Sequence, residues 1–296
     1  PMPEPSVRRS PTLAIVGALA AASVVVAVLA ASPSQVSARD FLGELRSPGE
    51  AAFVAAHRGD RSAAPENTLP AIEAAIAGSF DYVEVDIALT SDGYAVLLHD
   101  DTLDRTTSGT GALADHTLAE VRALDAGSWF DAAHAGTRVP TVEEFLDLLA
   151  SSSKKGLVEF KGVWTPEAAA SFAGAVSARA LDDRIAVASF DARSIALIAS
   201  AAPVLPRIAI LRTLPDDVVA AARALDVRGI IAPGAAVLRA PEVITELHNV
   251  GLRIAVYTLN DDTRWQRAID LGVDGIITDE PRVLTQWLAE TAVEAQ

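Results

Sequence analysis

The sequence predicts an α/β chain folded as a (β/α)8 (TIM) barrel, with a small insertion after the second strand. Three observations carry this. From residue 51 onward, short apolar runs alternate with longer stretches of helical period. The runs number about eight within roughly 245 residues, the size of one such barrel. No glycine-rich nucleotide fingerprint follows any run, which weighs against the doubly wound open sheet, the alternative on pattern alone.

The strands are read at 51–56, 82–87, 157–160, 185–188, 207–211, 229–232, 253–257 and 275–278. Amphipathic helices are read at 69–77, 142–150, 166–180, 194–201, 215–225, 241–250 and 263–271. Pro166, Pro215 and Pro241 would open three of them, where a missing N–H does no harm. Strand–helix alternation argues for a parallel sheet. Residues 88–140 depart from it. Two extended pieces meet at Ser91-Asp92-Gly93, a hairpin turn, and the second ends at Leu97-Leu98-His99-Asp100. A stretch rich in Gly, Thr and Asp follows. In a barrel, insertions of this kind sit on the catalytic face.

Residues 1–12 are polar and carry Arg8 and Arg9, as the n-region of an export signal or a cytoplasmic tail would. Residues 13–31 carry no charge and, as a helix, would span about 28 Å, close to a bilayer core. Their length suits a transmembrane anchor. Their alanine content and the small residues Val36-Ser37-Ala38 suit a cleaved signal peptide. Either way the arginines stay inside and the rest is exported, so the expected place is extracytoplasmic, anchored or secreted. Membrane contact would run through 13–31 if that segment is retained. Residues 32–50 are read as a linker, 51–288 as the barrel domain and 289–296 as a tail.

Half of the residues are hydrophobic, enough for a large core, and the net charge is −15. That charge argues against nucleic acid, which needs clustered Lys and Arg, and disfavours docking on anionic lipid. The absence of cysteine excludes disulfides, zinc–thiolate sites and a cysteine nucleophile.

Charged residues recur where apolar runs end. The first run ends at His57-Arg58-Gly59. The second contains Glu84-Val85-Asp86, and the third Glu159-Phe160-Lys161. Residues two apart on a strand share a face, so two carboxylates face one side of the second strand. A third carboxylate and an ammonium share a face of the third. Any one pair could be a surface salt bridge. Together, acidic groups inside apolar strands need a cation, and oxygen ligands suit Mg²⁺ or Ca²⁺. Two histidines, His57 and His99, beside a metal and two cations suggest phosphoester chemistry. One imidazole would take a proton and the other would give one. His116, His134 and His248 lack such company and are read as surface or helix residues.

The ordered set His57-Arg58-Gly59, Pro65-Glu66-Asn67-Thr68, Glu84-x-Asp86, Thr90-x-Asp92-Gly93, His99-Asp100, Leu103-x-Arg105-Thr106-Thr107 and Gly109-x-Gly111 resembles the glycerophosphodiester phosphodiesterases. Leu124 to Phe130, Val139-Pro140-Thr141, Glu159-x-Lys161, Ser189-Phe190 and Thr278-Asp279-x-Pro281 extend the resemblance over about residues 51–288. It implies a barrel of the phospholipase-C-like phosphodiesterase type. It implies a metal, Ca²⁺ or Mg²⁺, held by Glu84, Asp86 and Glu159, with His57 and His99 as the acid–base pair. Arg58 and Lys161 would hold phosphate, and Glu66 and Asn67 would shape the substrate site beside His57. Tyr257 stands where the family usually has tryptophan, keeping an aromatic wall and adding a hydroxyl. The implied reaction is hydrolysis of a small glycerophosphodiester to sn-glycerol 3-phosphate and an alcohol. The glycerol 2-hydroxyl would attack, with His57 as base and His99 as acid in the first step. Two alternatives are a phospholipase-D-like enzyme acting on lysophospholipid or sphingolipid, and a non-catalytic phosphate-binding envelope protein.

Overall fold

In the computed structural model, residues 34–294 are described. The segments read as 1–12 and 13–31 lie outside them. No helix among the described residues is long and apolar enough to cross a membrane.

The strands are β1 (Phe53–Ala56), β2 (Tyr82–Leu89), β3 (Ala95–Leu97), β4 (Lys155–Phe160), β5 (Ile185–Ser189), β6 (Arg207–Ile210), β7 (Gly229–Pro233), β8 (Arg253–Tyr257) and β9 (Gly275–Thr278). The order is β1-β9-β8-β7-β6-β5-β4-β2-β3, and β1 also pairs with β2. Eight strands therefore close into a parallel barrel. The ninth, β3, is the antiparallel arm of the predicted hairpin, with Ile87 opposite Leu97. Gly93 takes φ 84° in its turn, a conformation side chains rarely adopt.

Helices at Leu69–Ala77 and Val142–Ala150 match their expected bounds. The helix expected from Pro215 begins instead at Val218, because Asp217 caps it by accepting from the Ala220 N–H. Pro241 likewise precedes its helix, Glu242–His248, leaving Pro166 as the one of the three prolines inside a first turn. The expected tail from residue 289 is largely the end of the helix Pro281–Glu294.

The apolar faces of β1–β9 and the surrounding helices form the main core. A second cluster fills the barrel interior, with Phe53, Tyr82, Leu157, Ala186, Ile208 and Ala255 among its members.

The expected linker 32–50 is not a free connection. Ala38–Leu42 forms a short helix whose Phe41 (0% exposed) and Leu42 enter the barrel interior cluster from below. Polar ties hold this plug. Lys155 donates to the Asp40 and Phe41 carbonyls at 2.9 and 2.6 Å, and Arg253 donates to the Gly43 carbonyl at 2.6 Å. Buried Asp274 accepts from the Arg46 and Ile254 N–H groups and from His248 Nε2 at 2.8 Å, so His248 is a structural pin of the floor. The linker reading failed because one aromatic in a polar stretch has no periodicity to announce burial. Phe41→Ala is expected to destabilise the protein by about 3–5 kcal/mol, a cavity-forming loss. Chemical denaturation measures it, and a loss below about 1 kcal/mol would mean the plug is dispensable.

Candidate active site

The site follows from period two. On each barrel strand alternate residues face the interior. Phe53 and Ala55 point inward on β1, so His57 is the next inward position. Tyr82 leads to Glu84 and Asp86, and Leu157 leads to Glu159 and Lys161. Ala188 leads to Phe190, Ile210 to Arg212, and Ala255 to Tyr257. The apolar layers below and the polar layer above are one continuous register.

The turn after β1 is tight. Arg58 (φ 57°), Gly59 (φ 76°) and Asn67 (φ 54°) all occupy the left-handed region. A side chain at Gly59 would lie 2.7 Å from the Ala71 carbonyl carbon, so glycine is required there. Glu84 holds the turn in place. Its Oε2 accepts from the Arg58 N–H at 2.8 Å, and its carbonyl accepts from the Gly59 N–H at 2.9 Å. Arg58, a strained non-glycine residue, is over-determined by these bonds, as residues at functional sites often are.

Asp86 and Glu159 are directly paired across β2 and β4. With Glu84 they present ligand oxygens within 4.8 Å of one another, all three buried. Two cations adjoin them. Arg58 Nε lies 3.3 Å from Asp86, and Lys161 Nζ lies 3.2 Å from Glu159 and 4.0 Å from Asp86. Burial, then repulsion from Asp86 and Glu159, pushes Glu84 well above the carboxylate range. Burial and Asp86 push Glu159 up to about 7. Three hard oxygen donors that the local cations do not neutralise fit a divalent metal ion.

Each histidine is oriented by a carboxylate. His57 Nδ1 lies 2.6 Å from Asp279 Oδ1, and His99 Nδ1 lies 2.6 Å from Asp100 Oδ1. These partners hold the Nδ1 protons and leave Nε2 of each ring for the cavity. Burial, reinforced by Arg58 and Lys161, lowers the His99 pKa against the opposing pull of Asp86 and Asp100.

The model of the glycerophosphoryl diester phosphodiesterase family matches residues 57–283. The chain belongs to that family. It is 32% identical over 247 residues to a glycerophosphodiester phosphodiesterase of Caldanaerobacter subterraneus, covering 78% of this chain and 96% of that one. It is 30% identical over 256 residues to one of Bacillus subtilis, covering 81% and 87%. Among solved structures it resembles a phosphodiesterase of Oleispira antarctica in complex with the product sn-glycerol-3-phosphate. There the TM-score is 0.71, the identity 25%, and the coverage 80% of this chain and 96% of that one. A glycerophosphodiester phosphodiesterase of Agrobacterium tumefaciens gives 0.69 and 30%, covering 80% and 100%.

His57, His99, Arg58, Glu84 and Glu159 line one cavity with Tyr257. Lys161 lines an adjoining one that shares His99, Glu159 and Tyr257. Glu66 and Asn67 stand behind this lining rather than in it. Glu66 accepts from Arg58 at 2.6 Å, Arg105 at 2.7 Å and Arg61 at 2.8 Å. Burial pushes Glu66 up, but the Arg105 hydrogen bond and the Arg58 and Arg61 charges outweigh it and hold it at about 2. Asn67 clamps Asp86, donating to its Oδ2 at 2.9 Å and accepting from its N–H at 3.1 Å. In this structure both hold other residues of the site: Glu66 the arginines and Asn67 the Asp86 carboxylate. The Tyr257 hydroxyl donates to the Leu211 carbonyl at 2.9 Å, so the residue serves the cavity as a wall.

Sequence reasoning assigned no role to Asp279, Asp100, Arg61 or Arg105. The signal for Asp279 was barrel closure. β9 pairs with β1, Ala56 opposite Thr278, which sets the next residue beside His57. Asp279→Asn is expected to lower kcat roughly 10²-fold or more by freeing the imidazole tautomer. A circular dichroism melt unchanged within a few degrees would tie that loss to orientation, whereas wild-type kcat would remove the role.

Proposed function

We propose that the protein hydrolyses glycerophosphodiesters to sn-glycerol 3-phosphate and an alcohol, using a divalent metal and the pair His57 and His99. The single observation that carries this is two carboxylate-oriented histidines facing one cavity beside three buried carboxylates. Family membership and the product named in the Oleispira structure support the same reading.

Glu84, Asp86 and Glu159 would hold the ion, which supplies Lewis-acid charge stabilisation to the reacting phosphate when bound. Arg58 and Lys161 attract the phosphodiester anion and offset charge that develops on its oxygens. One histidine Nε2 takes the proton of the glycerol 2-hydroxyl as that oxygen bonds to phosphorus. The other gives a proton to the departing alcohol oxygen as its P–O bond breaks. A five-membered cyclic phosphate results. The roles then exchange: the second histidine deprotonates water, the first protonates the 2-oxygen as the ring opens, and both return to their starting states. The lowered His99 pKa belongs to the site without substrate, and an anionic diester works in the opposite direction.

The test follows glycerol 3-phosphate release from glycerophosphocholine with Ca²⁺, with Mg²⁺ and with chelator. Metal-dependent release is expected. A folded, metal-supplied protein that releases none from any diester overturns the proposal, and turnover of lysolipid alone would select the phospholipase-D-like alternative. The uncharged run 13–31 behind Arg8 and Arg9 supports an extracytoplasmic enzyme. Cell fractionation with all activity in the cytosol would sink that part.

A further inference from the structure

We propose that Arg212 is a specificity-determining residue that binds an anionic group, a carboxylate or a phosphate, on the leaving alcohol. The proposal rests on the hydrolysis reading above and names the class of alcohol it favours.

Two cavities meet at His99, Glu159, Phe190 and Tyr257. The inner one, about 200 Å³, holds His57, Arg58 and Glu84 over an aliphatic floor. The outer one, about 730 Å³ and more polar, runs from His99 and Lys161 to Arg212. The inner volume suits the small glycerol phosphate unit beside the acidic cluster. The alcohol leaves past His99 into the outer one. Arg212 is the next inward position above Ile208 and Ile210 on β6, so the barrel register delivers it to this space.

Its guanidinium lies 4.3 Å from the centre of the Phe190 ring, and Phe190 packs edge-on against Tyr257. Stacking on an aromatic face fixes the plane of the fork and leaves its N–H edges free for an anion. Among the described residues no carboxylate pairs with Arg212, whereas the other charges around the cavity are mostly spent. Asp100 pairs with His99 and Arg105, and Asp191 with Arg193, while Lys161 stands beside Glu159 at the acidic cluster. Asp101, in the loop after β3, also lines this cavity, and it would suit an ammonium beside the anion. A cation held on a shelf without an internal counter-charge, in a cavity contiguous with the acid–base pair, is a receptor for an anion on the substrate.

Matched pairs test this. Glycerophosphoserine differs from glycerophosphoethanolamine by one carboxylate, and glycerophosphoinositol 4-phosphate differs from glycerophosphoinositol by one phosphate. In the full-length, metal-supplied protein, kcat/KM is expected to favour the anionic member of at least one pair by about tenfold, the scale of one partly exposed charge-assisted contact. The pair that shows it tells carboxylate from phosphate. Arg212→Gln is expected to bring that ratio toward one, and Arg212→Lys to keep part of it. The ratio within each variant cancels any general loss of activity. Equal rates within both pairs overturn the proposal, as does a ratio that survives Arg212→Gln. If no diester is turned over, the hydrolysis reading fails separately. Calorimetric binding of the same pairs then decides Arg212 alone, and equal affinities in both pairs count against it.

Discussion

His99→Ala is expected to lower kcat on glycerophosphocholine by roughly 10²–10⁴-fold, the usual contribution of one positioned acid or base. The loss should fall on kcat more than on KM, because Arg58 and Lys161 still attract the phosphate. A second substrate assigns the role. If His99 protonates the leaving oxygen, a glycerophosphodiester of 4-nitrophenol, whose phenolate departs without a proton, should be hydrolysed nearly as fast by the variant as by the wild type. If His99 is the proton acceptor, both substrates should slow equally, and His57→Ala should show the rescue instead. Undiminished turnover of glycerophosphocholine by His99→Ala would remove the two-histidine mechanism altogether.

Glu84→Gln should lower turnover by roughly 10²-fold or more, and yet stabilise the metal-free protein. The amide oxygen can still accept from the Arg58 N–H, so the turn after β1 survives. What disappears is a buried carboxyl whose ionisation is opposed by burial, Asp86 and Glu159. The sign of the pH effect follows. Glu84 and Glu159 have folded pKa values raised above their unfolded ones, Glu159 to about 7. The contribution of Glu159 is therefore fully present below the unfolded value near pH 4.5 and is lost as pH rises through about 7, and that of Glu84 is lost in the same direction. For Glu159 the loss is on the order of 3 kcal/mol. In chelator, the wild-type melting temperature should fall across that window, and Glu84→Gln should lie about 5 °C above it at pH 8. Mg²⁺ or Ca²⁺ should raise the wild type and leave the variant nearly unmoved. A metal-free variant that melts below the wild type would show that the carboxylates do not repel one another.

The polar layer at the barrel mouth was legible because strand chemistry is periodic. Glu84-x-Asp86 and Glu159-x-Lys161 state their shared face in two residues, and the structure brings them together. The same period reaches Arg212 from Ile208 and Ile210, but a lone arginine after an apolar run reads as an ordinary strand end. The partners of Glu66 were hidden for another reason. A motif gives proximity to the site but not direction, and only the fold shows three arginines converging on its carboxylate. Asp279 required knowledge of which strands become neighbours across 222 residues. Phe41 needed the barrel floor to exist before its burial made sense.

That floor has a consequence for the order of assembly. The plug is made before any strand, yet its partners come late: Lys155 lies 114 residues beyond Phe41, and Arg253 lies 210 residues beyond Gly43. Contacts of such separation form slowly because the intervening chain must close first. The earliest of the described residues to be synthesised should thus be among the last to dock. Until they do, the lower mouth of the barrel stays open with its apolar layers wetted, and this interval, rather than the making of any single strand, is when the chain is most exposed to aggregation.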